Sequence, residues 1–359
     1  MKLVFVIGTR AELIKIFPLI KEASERGYDT RLISTGQHRL EELCESLNVK
    51  KPDVVLSKVT EKSSKFDKSV PKAFLWSVKQ LFNLRNSLEN DYDYVIYHGD
   101  TMSTSIAALG SSRLLKPFKK FETVHVEAGL RSGDIFEPFP EEFSRRFADW
   151  MSKINFAVTE NSLENLKICG KIGKENVLVG NTVYDSVNTV LDEEKFNEGV
   201  YGVVTVHRHE NIRNERRMER IVEILEGSDL ELIFSMHDNT RNSLEEFGLL
   251  KRLEDNEKIE IRNLVSYPEF VNLMKDAKVL FTDGGSIQEE SLALGIPCVV
   301  LRYETERKEG AETDLNYLSR FNVEETLEYV EKVVEEDFEP VKNEKSVSSR
   351  ILDYLENRS

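Results

Sequence analysis

Asp283-Gly284-Gly285-Ser286-Ile287-Gln288-Glu289-Glu290 is the stretch whose reading decides the fold. Ahead of it, Ala277 to Phe281 is short and apolar, as a buried strand is. Behind it, Ser291 to Leu294 continues a helix that Gly295 and Pro297 stop, and Cys298-Val299-Val300-Leu301 reads as the next buried strand. The local order is strand, glycine turn, helix, strand. Adjacent glycines permit positive φ and a close approach of backbone to ligand. The helix N-terminus beyond them offers unpaired N–H groups and a partial positive charge, which suit a phosphate. Glu289 and Glu290, expected in the first helical turn, can accept hydrogen bonds from sugar hydroxyls. Phosphate on the amides and ribose on a glutamate would make a nucleotide site. The same eight residues also fit a plain tight turn whose glutamates favour the helix dipole.

Working outward, 359 residues exceed one ordinary core and predict about two domains. A net charge of -15 argues against a nucleic-acid partner or an anionic membrane surface, so an anionic substrate needs a local basic site. Cys44, Cys169 and Cys298 are odd in number and scattered, with neither metal spacing nor a disulfide framework. The chain opens directly on a strand, and no apolar run approaches the ~20 residues of a membrane helix. These features predict a cytoplasmic protein.

Strand and helix alternate along the chain. Lys2 to Ile7 reads as a strand, Gly8-Thr9-Arg10 as a turn and Ala11 to Arg26 as a helix. Strands follow at Thr30 to Ser34, Asp53 to Leu56, Tyr94 to Tyr97 and Thr123 to Val126, with a polar loop at Ser57 to Val70. Pro140 fits the first position of a helix, with Glu141 and Glu142 in its first turn. A second series has strands at Val203 to Val206, Glu231 to Phe234 and Ile259 to Ile261 before the stretch quoted above. Such alternation implies parallel sheets with right-handed crossovers, and these bind ligands beyond the carboxyl ends of their strands. Polar, acidic residues at Leu191 to Gly199 mark the boundary between the series.

Polar side chains gather at those carboxyl ends: Arg10, Asp100, Glu127, Arg131 and all six histidines, His38, His98, His125, His207, His209 and His237. No His-Glu-x-x-His or carboxylate triad accompanies His207 and His209, so no metal is expected. The Gly-x-Ser-x-Gly elbow of a hydrolase is missing, and no Gly-x-Gly-x-x-Gly follows the first strand, so no dinucleotide cofactor is expected.

Gly8-Thr9-Arg10 with Lys15 and Pro18, Gly36-Gln37-His38, His98-Gly99-Asp100-Thr101 and His125-Val126-Glu127-Ala128-Gly129-Leu130-Arg131 come in a telling order. Pro140-Glu141-Glu142, Val179-Gly180-Asn181-Thr182-Val183, His207-Arg208 with Glu210-Asn211, Gln288-Glu289-Glu290 and Thr305-Glu306-Arg307 complete it. Together these motifs, spread over nearly the whole chain, resemble the non-hydrolysing UDP-N-acetylglucosamine 2-epimerases. The resemblance implies a GT-B-like α/β fold, two Rossmann-type domains with parallel sheets facing across a cleft. Residues 1–180 would form the catalytic domain, 181–345 the nucleotide-binding domain, and 346–359 a C-terminal helix packing back on the first. It implies interconversion of UDP-N-acetylglucosamine and UDP-N-acetylmannosamine by a homodimer, without metal or nicotinamide. A hydrolysing 2-epimerase, a GT-B glycosyltransferase and a non-catalytic sugar-nucleotide sensor are the alternatives.

By the same resemblance Asp100, Glu127 and Glu141 manage the proton at C2, and His207 joins them as a catalytic residue supporting the departing diphosphate. Arg10, Lys15, Gly284, Gly285, Ser286, Glu290 and Arg302 hold the UDP-sugar, with Glu290 on the ribose. Asp100 and Glu127 could instead be ion-paired turn residues, with Arg131 the available partner for Glu127. The chain departs from the family at Ala11, Ser144, His209 and Lys308, and most clearly at Gly284-Gly285-Ser286. There the family's usual Asp-Ser-Gly-Gly has its hydroxyl two places earlier.

Overall fold

The computed structural model of the protein describes residues 1–57, 70–132, 140–168, 173–192, 200–305, 315–336, 338, 340 and 345–358. Residues 58–69 of the loop expected at Ser57 to Val70, most of the acidic stretch at 191–199, Cys169, and Glu306 through Lys308 lie outside them. The chain divides into two compact units, Met1–Ser186 with Glu344–Ser359, and Val187–Asn343.

The first unit holds strands β1 (Lys2–Ile7), β2 (Asp29–Ser34), β3 (Val54–Val55), β4 (Tyr94–His98), β5 (Glu122–Ala128), β6 (Ile154–Ala157) and β7 (Glu175–Leu178). They pair in the order β3-β2-β1-β4-β5-β6-β7, every neighbour parallel. The second unit holds β8 (Tyr201–Thr205), β9 (Glu231–Met236), β10 (Ile259–Asn263), β11 (Val279–Thr282), β12 (Cys298–Val300) and β13 (Asn316–Leu318). Their order is β10-β9-β8-β11-β12-β13, again all parallel. Helices on both faces bury a parallel sheet twice over, which is why Leu3 to Ile7 and Val279 to Phe281 are apolar without alternation. Among the described residues no helix is long and apolar enough to cross a membrane.

In each sheet the winding reverses once, between β1 and β4 in the first and between β8 and β11 in the second. At such a reversal the crossover helices leave to opposite faces, and the carboxyl ends open a crevice there. The turns at these positions are Gly8-Thr9 and Gly99-Asp100 in the first unit, and Val206-His207 and Asp283-Gly284 in the second. Topology therefore assembles residues that stand far apart in sequence.

The last helix, Val347–Glu356, belongs to the first unit. Asp185 accepts hydrogen bonds from the Val347 and Ser348 amides at 3.1 and 2.6 Å, capping its N-terminus. Arg26, closing the helix Arg10–Glu25, reaches Asp353 at 2.7 Å.

Three local expectations are corrected. Pro140 is the N-cap of the helix Glu141–Met151, one place before the first helical position, and its missing N–H is not needed there. His125 lies inside β5, not at its end, because a bulge carries the strand on to Ala128. The helix after the Gly284-Gly285 turn starts at Gly285, so Glu289 and Glu290 fall in its second turn, buried rather than facing the dipole.

Candidate active site

In the first unit the site begins with a staple between two turns. Gly8 can only be glycine, since a Cβ there would sit 1.9 Å from Ser103 Oγ at the start of the neighbouring crossover. Glu12 fastens the two: its Oε2 accepts from the Gly8 and Thr9 amides at 2.7 and 2.8 Å, and its Oε1 from the Thr101 and Thr104 hydroxyls at 2.5 and 3.1 Å. Burial pushes the Glu12 carboxyl up, against the pull of those donors. With the first turn so fixed, Lys15 points inward, one turn along the helix.

Lys15 forms a buried ion pair with Glu127. Glu127 is the bulged residue of β5, where the register with β6 slips between Val126 and Ala128. Its φ is +64°, the left-handed region that a non-glycine side chain enters at a cost of about 1–3 kcal/mol. His98, the last residue of β4, brings Nδ1 to 3.7 Å from the other Glu127 oxygen, while its Nε2 lies 3.4 Å from Thr182 Oγ1. Asp100 pairs with Arg145, which also donates to Glu142 at 2.5 Å. The cation on Glu127 is thus Lys15. Arg131, the partner considered from sequence, binds Asp149 at 2.7 Å instead, because the chain turns after Gly129 towards the Glu141–Met151 helix.

That helix is inverted. Glu142, Arg145 and Asp149 share one face and are buried, while Phe143 and Trp150 are 52% and 47% exposed. The spacing i, i+3, i+7 of these three charges is a helical period that could have signalled them, since Arg145 and Asp149 belong to no motif read from the sequence. Burial raises the Asp149 carboxyl, but His125 at 2.8 Å and Arg131 pull it further, and its pKa ends below 3.8. Glu141 heads the helix, half-buried. Arg10 is exposed, with its amide 3.4 Å from His38 Nδ1. The His38 pKa is lowered by burial and by the Arg10 charge.

In the second unit one carboxylate organises the turn. Buried Asp283 accepts from the His207 amide at 3.0 Å, the Arg208 amide at 3.0 Å and the Asn211 side chain at 3.0 Å. Neither Gly284 nor Gly285 has positive φ. Glycine at 284 allows close packing: a Cβ there would lie 3.2 Å from His207 Cε1 and 3.3 Å from Ile287 Cγ1, so those side chains would have to shift. Ser286 is the second residue of the following helix, half-buried. Burial lowers the His207 pKa from 6.5, Asp283 at 3.6 Å opposing, although 49% of the side chain meets solvent. Glu290 is buried beside Tyr267, whose hydroxyl is pushed well above 10 by burial and then by the Glu290 charge. Arg302 lies 3.6 Å from Glu210.

The structure therefore gathers Lys15, Glu127 and His98 in one cluster and Asp100 with Arg145 and Glu142 in another. In the second unit it sets His207 against Asp283 and Gly284. Among the described residues no group of three or more His, Cys, Asp or Glu could hold a metal ion.

These geometries meet relatives of known kind. The profile of the UDP-N-acetylglucosamine 2-epimerase family matches residues 21–356. The UDP-N-acetylglucosamine 2-epimerase of Methanocaldococcus jannaschii is 36% identical over 351 residues, covering 92% of each chain. That of Methanococcus maripaludis is 33% identical over 353 residues, covering 93% of this chain and 92% of its own. The crystal structure of the M. jannaschii enzyme in complex with UDP-GlcNAc and UDP superposes with a TM-score of 0.80 at 34% identity, over 99% of this chain and 100% of that one. With two parallel-sheet α/β units of GT-B-like type and this match along nearly its full length, the chain belongs to the UDP-N-acetylglucosamine 2-epimerase family.

Proposed function

We propose that this chain interconverts UDP-N-acetylglucosamine and UDP-N-acetylmannosamine without hydrolysis, by elimination of UDP and its re-addition. The C2 proton of a pyranose is not acidic, since no carbonyl adjoins it. Its removal becomes feasible when the C1–O bond to the diphosphate breaks in concert. The C–H electrons form the C1=C2 bond of a glycal, and the diphosphate leaves with the C1–O pair. In the return step a proton is delivered to the other face of C2 and the diphosphate oxygen re-attacks C1. Two faces of one carbon call for more than one acid–base group.

Glu127, Asp100 and Glu141 are the carboxylates assigned to C2. Lys15 gives buried Glu127 its counter-charge, and His98 lies close enough to exchange a proton through a small shift. Arg10, Lys15 and His207 support the departing diphosphate. The amides around Gly284, Gly285 and Ser286, at a helix N-terminus, bind phosphate, and the shift of the hydroxyl to Ser286 leaves more of that task to the backbone. Glu290 holds the ribose hydroxyls, and Arg302 completes the nucleotide-sugar contacts. A homodimer in the cytoplasm is part of the same reading.

One observation carries it. Glu127 combines a left-handed backbone, a bulge and a buried charge, three costs that sheet folding does not require. Such costs collect where chemistry uses them. Incubation with UDP-N-acetylglucosamine in D₂O, followed by NMR of the sugar ring, is the test. Deuterium at C2 of both epimers is expected. Epimerised product retaining protium at C2 would sink the elimination route, and free sugar appearing in step with UDP would move the chain to the hydrolysing class.

A further inference from the structure

We infer that His125 and Asp149 are positioning residues for Glu127, holding the two turns that flank its left-handed backbone. The inference rests on the reading of Glu127 as the group that works at C2. A non-glycine residue at φ +64° stays there only if its surroundings over-determine it, so the molecule must contain the groups that do so.

They can be traced atom by atom. On one side lies Gly99, at the β4 turn. Its amide donates to Val126 O at 3.0 Å, and its carbonyl is 2.8 Å from His125 Nε2. On the other side lies Gly129, two residues past Glu127. Its amide donates to Asp149 Oδ1 at 3.3 Å, and its carbonyl accepts from Asn165 Nδ2 at 3.0 Å. Gly129 cannot be replaced, since its φ is +84° and a Cβ would lie 2.2 Å from Ser162 O. His125 Nδ1 is 2.8 Å from the same Asp149 oxygen, so the two turns are joined by one continuous path: Gly99 carbonyl, His125 ring, Asp149 carboxylate, Gly129 amide. Arg131 anchors the other Asp149 oxygen at 2.7 Å.

The chemistry of the path is directional. Gly99 O and an ionised Asp149 can only accept, so both His125 bonds are made only by a ring carrying a proton on each nitrogen. That ring is wholly buried, and Asp149 is the carboxylate beside it. Asn at 149 would keep an acceptor for the Gly129 amide but lose the charge that holds the ring. Such a change leaves Glu127 in place chemically and frees it geometrically.

A double-mutant cycle in kcat separates positioning from mere support of the fold. The four proteins are wild type, Glu127→Gln, Asp149→Asn and the double variant. Asp149→Asn is expected to lower kcat by about 10- to 100-fold, the scale of a misplacement near 1 Å, with KM and UDP affinity little changed. In the Glu127→Gln background the same change should cost less than about twofold, because nothing remains to be positioned. His125→Gln should follow the same pattern and keeps the test open if Asp149→Asn does not fold. Equal losses in both backgrounds, or wild-type kcat in the single variants, would overturn the positioning role alone. Wild-type kcat in Glu127→Gln would overturn it together with the proposed function.

Discussion

At the end of β5 a carboxylate is held against an ammonium; beyond the end of β11 a carboxylate is held by two backbone amides and an asparagine. The two sheets share the order of their first six strands; Asp283 follows a strand at the reversal of winding, and Glu127 lies on the strand next to one. The difference lies in the donors. Amides fix Asp283 by geometry, and they cannot take or give a proton at ordinary pH. Lys15, His98 and Arg145 around Glu127 and Asp100 are charged or titratable side chains, which on the proposed function a substrate displaces or exchanges protons through. On the proposed function, the first region serves proton transfer and the second recognition of shape and phosphate. That division can be broken by experiment.

The largest effect should come from Glu127→Gln. Turnover should fall by about 10²–10⁴, the size of an acid–base contribution, while UDP affinity by calorimetry stays close to wild type. A larger fall in UDP affinity than in turnover would erase the contrast between the regions. Next comes Lys15→Met, which leaves the Glu127 charge buried without its partner and should cost about 3–5 kcal/mol of stability. Chemical denaturation measures this. The loss should shrink in a Lys15→Met, Glu127→Gln double variant, where no uncompensated charge remains.

Glu290→Gln tests the recognition side. It should weaken UDP binding by about 1–3 kcal/mol and lower kcat at saturation much less. Glu289→Gln in the same titration is the control, since Glu289 sits on the same buried helical turn. Equal losses in the two variants would assign the effect to helix packing and remove Glu290 from the ribose.

Much of the architecture was legible because central parallel strands are continuous apolar runs. β1, β4, β8 and β11 occupy the middle of their sheets and were all visible as such. The edge strands β3 and β10 were also read, at Asp53 to Leu56 and Ile259 to Ile261, but three strands on the other side of the two sheets were not. β6 carries Asn155 among four residues, β7 opens Glu175-Asn176, and β13 is the three residues Asn316-Tyr317-Leu318. These three strands are short and carry Asn or Glu, so their apolar pattern is weak. At the site, residues in turn motifs could be read, and Lys15 and Glu127 were both named, but not their pairing. Contacts across more than a hundred residues follow from sheet order, which no local pattern contains. Arg145 and Asp149 were missed for another reason: on an inverted helix, buried charges look like an exposed face until their partners are known.

The smallest effect expected is a pH dependence in UDP binding that belongs to His207. Burial lowers its pKa below 6.5, so in the free protein the ring is neutral at pH 7 and protonates only in mild acid. A bound diphosphate favours the charged ring and raises that pKa. The sign follows from linkage: the state with the higher pKa gains as pH falls, so binding through His207 tightens on going down from pH 8 and levels off below the free-state pKa. A hydrogen bond to phosphate from a charged ring is worth about 1 kcal/mol more than one from a neutral ring, or about fivefold in affinity. The terminal phosphate of UDP titrates in the same range and works in the opposite direction, so the quantity to compare is the ratio of dissociation constants between wild type and His207→Asn. The dissociation constant of wild type relative to that of His207→Asn should fall as pH falls from 8 to 5.5. A ratio constant with pH would show that His207 serves the second region only through its backbone amide to Asp283. Recognition there would then rest on fixed dipoles alone, and the contrast with the titratable first region would be sharper still.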